Sequence, residues 1–381
     1  MIDKIIKQLN PLINGKLIYL SQYGSHLYGL NTENSDLDFR GVYIPTLNDI
    51  ILKKDKDEIN EELWITRYLP DREIKNDGEY VWTEVDRVES IKVDVKIFSL
   101  QKFITLCSKA DTNALDLLFS YNPERKDIQQ YVYNKEQYYE SGILAHPYIP
   151  FIEFLINRGK LINTDRLESP ITYAFKQATK YSLKGDYLNL YDELLDITKG
   201  FTDDMTVLNL IEYIDKNGLN YLREKNNDGF WTQQLCPITR DTKEKGGIQT
   251  YLNIIGVEHQ ANLSIRTFEE RIKSKIKQYS KRAIDAKDGG NDWKALSHAI
   301  RVLLEVKQLL EDGTITFPCI ENRFLLRIKQ GKISREVIDE FFNKQLSNIL
   351  EKVKLNELGW KYDEEFWNEF ILKEVKNVNI S

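Results

Sequence analysis

Cysteine, histidine and methionine are scarce in this 381-residue chain, which has three, four and two of them. Cys107, Cys236 and Cys319 lie far apart and form no CxxC pair, so neither a disulfide framework nor a cysteine zinc site is supported. The three thiols are expected to be buried and inert. His26, His146, His259 and His298 show no HExxH spacing, which argues against a zinc hydrolase. No run of about 18 apolar residues occurs, so no membrane span is expected. The stretch Met1 to Gly15 is too polar for a secretory signal, and a cytoplasmic protein is expected. Repeats and low-complexity tracts are missing, which excludes a solenoid. An excess of basic charge is missing too. With 53 Lys and Arg against 59 Asp and Glu, the net charge is −6. Bulk charge therefore does not coat nucleic acid with this chain, although a local basic patch is compatible with the total.

What is present is ordinary globular material. Hydrophobic residues make up 41% and charged residues 29%, enough to bury a sizeable core. The length predicts two or three domains. Three regions separate by pattern: 1–125, 126–265 and 266–381. In the first, the pattern predicts a helix over Ile2–Leu9 and strands over Lys16–Tyr23 and Leu37–Ile44. Lys53–Asn60 reads as a loop, and Leu63–Tyr68 with Tyr80–Val85 as a hairpin-like pair. Ile91–Ile97 alternates strictly between apolar and polar, as a half-buried strand does. Helices follow over Leu100–Ser108 and Thr112–Phe119. This order predicts an α+β fold: an N-terminal mixed sheet flanked by helices, then mostly helical regions. In the middle region helices are expected near Phe151–Asn157, Ile171–Leu183, Tyr187–Thr198 and Thr206–Lys216, with a turn at Asn226–Gly229. In the last, Phe268–Ala286 and Trp293–Leu310 are long periodic segments, Asp312-Gly313 is a stop signal, and Asp363–Val375 reads as a final helix.

The chemistry concentrates in Gly24-Ser25, Gly29 and Ser35-Asp36-Leu37-Asp38. Aspartates at i and i+2 of a strand share a face. Two carboxylates so close repel unless a cation lies between them. Oxygen donors of this kind suit Mg²⁺ or Mn²⁺. A third carboxylate on a neighbouring strand would complete a two-ion site. Asp94, on the alternating strand, fits that role, with Asp71 and Asp86 as rivals. Small residues at Gly24 and Ser25 let backbone approach a phosphate, so a nucleoside triphosphate is the expected ligand. Either part alone is a common accident. The ordered combination of strand, Gly-Ser turn, SDxD strand and later acidic strand is far more specific.

This combination resembles the DNA polymerase β-like nucleotidyltransferase superfamily. More closely, it is similar to the RNA-ligase-associated, polymerase-β-like family of bacteria and phages. The resemblance rests on Gly24–Leu30, Ser35–Tyr43, Asp94–Phe103, Asn113–Phe119, Asp292–Arg301 and Gly313–Pro318. It implies that Gly24 and Ser25, with Ser35, contact the nucleotide. It also implies that Asp36, Asp38 and Asp94 hold two divalent ions, and that the setting is RNA repair.

Weaker signals surround the motif. Arg40 shares the face of the two aspartates and would orient a carboxylate or touch a phosphate, with a structural ion pair as the equal alternative. Tyr28 reads as packing rather than stacking. Lys176, Lys180 and Lys184 recur every four residues, and Lys184 at a helix end is the nucleotide-binding candidate among them. Lys294, Ser297, His298 and Arg301 form one polar stripe, with His298 and Arg301 as nucleotide-facing candidates and a solvated face as the alternative. Arg271, Lys273, Lys275, Lys277, Lys281, Arg282 and Lys287 make a basic segment that would grip RNA or simply be solvated, and Tyr279 within it is a stacking candidate. Trp64, Trp82, Trp231 and Trp293 are expected in the core.

The expected activity is metal-dependent transfer of a nucleoside monophosphate from a triphosphate to a hydroxyl, with pyrophosphate released; the resemblance, rather than the residues, implies an RNA, tRNA-like end as the favoured acceptor. The rivals are AMP transfer to a protein or small molecule, a non-catalytic nucleotide-binding regulator, and, more weakly, a nuclease. The oligomeric state is not legible.

Overall fold

The computed structural model describes residues 1–33, 35–74, 80–135, 148–182, 184–217, 235–242, 247–254, 257–279, 284 and 291–380. They divide into two compact units. One comprises Met1–Tyr173, Ile300–Arg327 and Ile333–Ser381; the other comprises Ala174–Ala299 and Ile328–Lys332. The α+β class expected from the sequence is what the chain adopts.

The first unit is built on a five-stranded mixed sheet. Helix α1 (Ile2–Leu9) leads into β1 (Gly15–Tyr23), a short helix α2 (Ser25–Tyr28) and β2 (Leu37–Pro45). Helix α3 (Leu47–Ile51) is followed by a long hairpin, β3 (Glu58–Ile74) and β4 (Tyr80–Ser99). Helices α4 (Leu100–Ser108) and α5 (Thr112–Phe119) precede a short edge strand, β5 (Gln130–Val132). The strand order is β3-β4-β2-β1-β5. Every pairing is antiparallel except β2 with β4.

Local chemistry explains the boundaries that the sequence reading placed correctly. Ser99 accepts a hydrogen bond from Lys102 N and caps α4, and Asp111 accepts from Asn113 N and Ala114 N and caps α5. The hairpin differs from expectation. Tyr80–Val85 and Ile91–Ile97 belong to one strand of 20 residues, because the ladder with β3 runs through the charged stretch between them. The ladder also begins at Glu58, inside the stretch read as a loop.

One face of the sheet carries Leu17, Leu20, Phe39, Leu63, Ile65, Val93, Val95 and Ile97, which pack with Ile5 and Leu9 of α1. An aromatic chain forms a further part of this unit's core. Tyr19 stacks on Phe151 at 3.9 Å, Phe151 meets Phe154 at 5.5 Å, and Phe154 stacks on Trp367 at 5.3 Å. Trp367 comes from the helix Glu364–Ile380, which matches the expected last helix and extends beyond it. The helix Arg335–Leu355 escaped the sequence reading. Its buried Ile338, Phe342, Leu346 and Ile349 nevertheless keep helical spacing.

The second unit contains the helices Lys184–Thr198, Val207–Asn217 and Ile265–Lys277 and a three-stranded antiparallel sheet. Its strands are β6 (Leu235–Thr242), β7 (Gly247–Ile254) and β8 (Val257–Gln260). The sequence reading expected only helices here; short strands, one bearing Pro237, give weak alternation. Leu190, Leu194, Leu210, Ile214, Leu252, Phe268 and Ile272 share one core. The turn read at Asn226–Gly229 lies outside the described residues, as do Trp231, Lys281, Arg282 and Lys287. No helix among the described residues is long and apolar enough to cross a membrane.

Two stability predictions follow from these cores. Trp367 is fully buried and its indole N–H donates to Lys160 O at 2.9 Å. Trp367→Ala is expected to cost about 3–5 kcal/mol, read from urea denaturation; a loss below 1 kcal/mol would contradict the packing. His259 is buried on β8, edge-on to Phe268. Burial first, then Arg271 and Lys275, lower its pKa to about 4 from 6.5. The unfolded chain therefore takes up a proton that the folded chain refuses. Stability should fall as pH drops from 6.5 towards 4, by up to about 3 kcal/mol. Denaturation midpoints across that range, compared with His259→Met, should show the variant lacking this part of the slope.

Candidate active site

Asp38 and Asp94 are cross-strand partners in the parallel β2–β4 ladder. Their neighbours Phe39, Val93 and Val95 point into the core under α1, so alternation puts both aspartates on the opposite face. Both are half-buried, and Asp36, just before β2, is exposed. Glu62 of β3 pairs with Asp94 on the other side. Three acidic residues thus stand in one row across three strands. Asp86 is eight positions along β4 from Asp94, about 26 Å away at strand rise, and Asp71 pairs even farther up the same hairpin, opposite Thr83.

The Gly-Ser turn meets this row directly. Tyr23, the last residue of β1, pairs with Asp38. Gly24 has φ 64 and ψ −139, a conformation reserved for glycine, and a Cβ there would collide with Asp38 Oδ2. Glycine is therefore needed twice, for its backbone and for its missing side chain. Ser25 opens the short helix α2, and Leu30 N donates back to Ser25 O at 2.8 Å. Ser35 acts locally: its Oγ accepts from Thr32 N at 2.8 Å and sets the loop that delivers Asp36.

Cations also lie on this face. Lys92 Nζ is 2.7 Å from Glu62 Oε1 and 3.3 Å from Asp94 Oδ1. Arg40 lies over the Tyr23 ring at 5.2 Å, and its buried Nε has no hydrogen-bond partner. The donor chemistry of Asp36, Asp38 and Asp94, hard oxygens on or just before adjacent strands, fits a small divalent cation. The carboxylates as placed do not close round a point: among the described residues no three His, Cys, Asp or Glu side chains form a ready metal cluster.

The other nucleotide-binding candidates fall elsewhere. Arg301 is fully buried and bonds to Asp116 Oδ2 at 2.9 Å and Glu305 Oε1 at 2.5 Å. The stripe it belongs to is not a solvated face, because Ser297 and Arg301 are both buried while only Lys294 is exposed. His298 is half-buried and belongs to the second unit. Lys184 starts a helix of that unit, and its side chain lies outside the described residues. Tyr279 packs edge-on to Tyr191 at 6.2 Å. Trp64, expected in the core, is 59% exposed, because it alternates with the buried Leu63 and Ile65 on an edge strand. Cys107 and Cys319 are buried, and burial pushes both thiols up, as expected of inert cysteines. Tyr28 packs, as read, and its hydroxyl donates to Asp116 Oδ2 at 2.7 Å. Asp116 itself was not singled out. Its signal was available: one acid inside Ala114-Leu-Asp-Leu-Leu-Phe119.

Gly24→Ala should cost about 1–3 kcal/mol from backbone strain alone and displace the Asp38 carboxylate. Denaturation in urea tests this; a variant as stable as the parent would rule out the turn conformation described.

Comparison with known proteins agrees with this architecture. Residues 1–158 match the model of the RNA repair pathway DNA polymerase beta family. Over 368 residues, 93% of this chain and 96% of the other, the chain is 24% identical to a protein of Enterobacteria phage T4. That relative is described only as an uncharacterised 38.9 kDa protein in the nrdC-mobD intergenic region. Residues 1–158, which carry the Gly24–Ser25 turn and all three aspartates, are thus similar to the RNA repair pathway DNA polymerase beta family.

Proposed function

We propose that the protein is a metal-dependent nucleotidyltransferase that moves a nucleoside monophosphate from a triphosphate to a hydroxyl of an RNA end. The observation that carries this reading is the contact between Gly24 and the Asp38 carboxylate, on the row that Asp38 shares with Asp94. A phosphate-approaching turn and an acidic row are the two halves of phosphoryl-transfer chemistry, and here they touch.

In this reading the Gly24 backbone approaches the triphosphate, and the Ser25 hydroxyl donates to a phosphate oxygen. Arg40, with an unused Nε, supplies positive charge to the same phosphates. Asp36, Asp38 and Asp94 would hold Mg²⁺ or Mn²⁺, which when bound lowers the acceptor hydroxyl's pKa and neutralises the leaving group. The acceptor oxygen forms a bond to the α-phosphorus, and the bond from that phosphorus to pyrophosphate breaks. The acceptor's proton passes to Asp94, directly or through water. The preference for RNA rests on the family description and on the exposed Arg271, Lys273 and Lys277 of the helix Ile265–Lys277.

The test offers each α-³²P-labelled triphosphate with Mg²⁺ or Mn²⁺ to RNA, DNA and a protein extract. Label on RNA, reduced at least about a thousandfold by Asp38→Asn or Asp94→Asn, is the expected result. Label on protein would replace the acceptor, and no transfer from any triphosphate would overturn the enzymatic reading.

A further inference from the structure

We infer that Asp116 and Arg301 are positioning residues that clamp both ends of the Gly24–Ser25 turn. This inference rests on the nucleotidyltransferase reading for its functional half. Asp116 is 1% exposed on α5, among buried Ala114, Leu115, Leu117 and Leu118. A carboxylate in such a place is costly unless it is paired and hydrogen-bonded. Its Oδ2 accepts three bonds: from Tyr23 Oη at 3.0 Å, Tyr28 Oη at 2.7 Å and Arg301 Nη1 at 2.9 Å. Tyr23 immediately precedes Gly24, and Tyr28 closes α2 immediately before Gly29. One oxygen atom thus ties the residue that enters the turn to the residue that leaves it.

Arg301 completes the clamp in a second way. Its guanidinium lies over the Tyr28 ring at 3.8 Å. It also bonds to Glu305, whose carboxyl is raised well above the usual range by burial. Backbone contacts hold the same short helix from outside. Cys319 N donates to Tyr28 O at 3.2 Å, and Arg125 Nη1 to Leu27 O at 3.4 Å. Gly29 approaches Pro318 and Asn322 so closely that a Cβ would clash with both. A phosphate-holding turn is useful only when its amides and hydroxyl are fixed before the ligand arrives. A charge-assisted buried anchor at both ends supplies that rigidity.

The experiment uses the whole protein and two variants, Asp116→Asn and Tyr28→Phe; the second removes a single oxygen and guards against misfolding of the first. Amide hydrogen exchange is measured without nucleotide. Steady-state kinetics then give KM separately for triphosphate and for RNA acceptor. The expected result is exchange across residues 24–30 at least about tenfold faster, with β3 and α1 unchanged. KM for triphosphate should rise about tenfold to a hundredfold, the range of one charge-assisted hydrogen bond, while KM for RNA stays constant. Unchanged exchange at 24–30 would overturn the clamp. Faster exchange with an unchanged triphosphate KM would overturn its positioning role. A parent protein that transfers no nucleotide would sink the functional reading, while the exchange result still decides whether the clamp exists.

Discussion

The parallel pairing of β2 with β4 fixes where the carboxylates stand. A parallel neighbour cannot be reached through a tight turn. The chain gets there by running out along β3 and back along β4, so β4 returns antiparallel to β3 and parallel to β2. That detour lets an aspartate from residue 38 and one from residue 94 share a row, and it places Glu62 beside them. A slip of one residue would send Asp38 and Asp94 into the apolar layer under α1 and expel Phe39 and Val95. The core therefore enforces the register on which the acidic row depends.

The turn answers to a second constraint, set by charge. The interior of the first unit holds Asp116, Arg301 and Glu305 together, far from water. Such a cluster gains little net stability over an apolar one of the same size, but losing one partner is expensive. Its value lies in specificity of arrangement: three donors converge on Asp116 Oδ2. The residues so held are the two tyrosines that bracket the Gly-Ser turn. Core electrostatics and site geometry are thus coupled through Tyr23 and Tyr28, while Gly24 keeps the turn pressed against Asp38.

Arg301 illustrates how a helical stripe misleads. Positions 294, 297, 298 and 301 form a polar stripe, and a polar stripe on a surface helix faces solvent or ligand. The helix Trp293–Asp312 is instead buried along most of its middle, with Ala299, Ile300, Val302, Leu303 and Val306 covered as well. Polar residues on such a helix have to be satisfied by other protein groups. Trp64 shows the reverse. It has the composition of a core residue and lies exposed, because strand alternation outranks residue type on an edge strand.

The sequence alone determined what is local. Period-two alternation identified Ile91–Ile97 and the side on which Asp94 points. Ser99 and Asp111 placed the starts of α4 and α5 by capping. The Gly-Ser turn and the SDxD strand stand out through residue type and spacing. Tertiary structure decided the rest, since it depends on contacts between residues distant in sequence. The β3–β4 ladder carried the strand through a charged stretch that reads as a break, and weak alternation hid β6–β8 until they paired. The meeting of Asp116 with Arg301 spans 185 positions. Neither residue's pattern predicts its partner, because a buried charge is satisfied by whatever the fold brings to it.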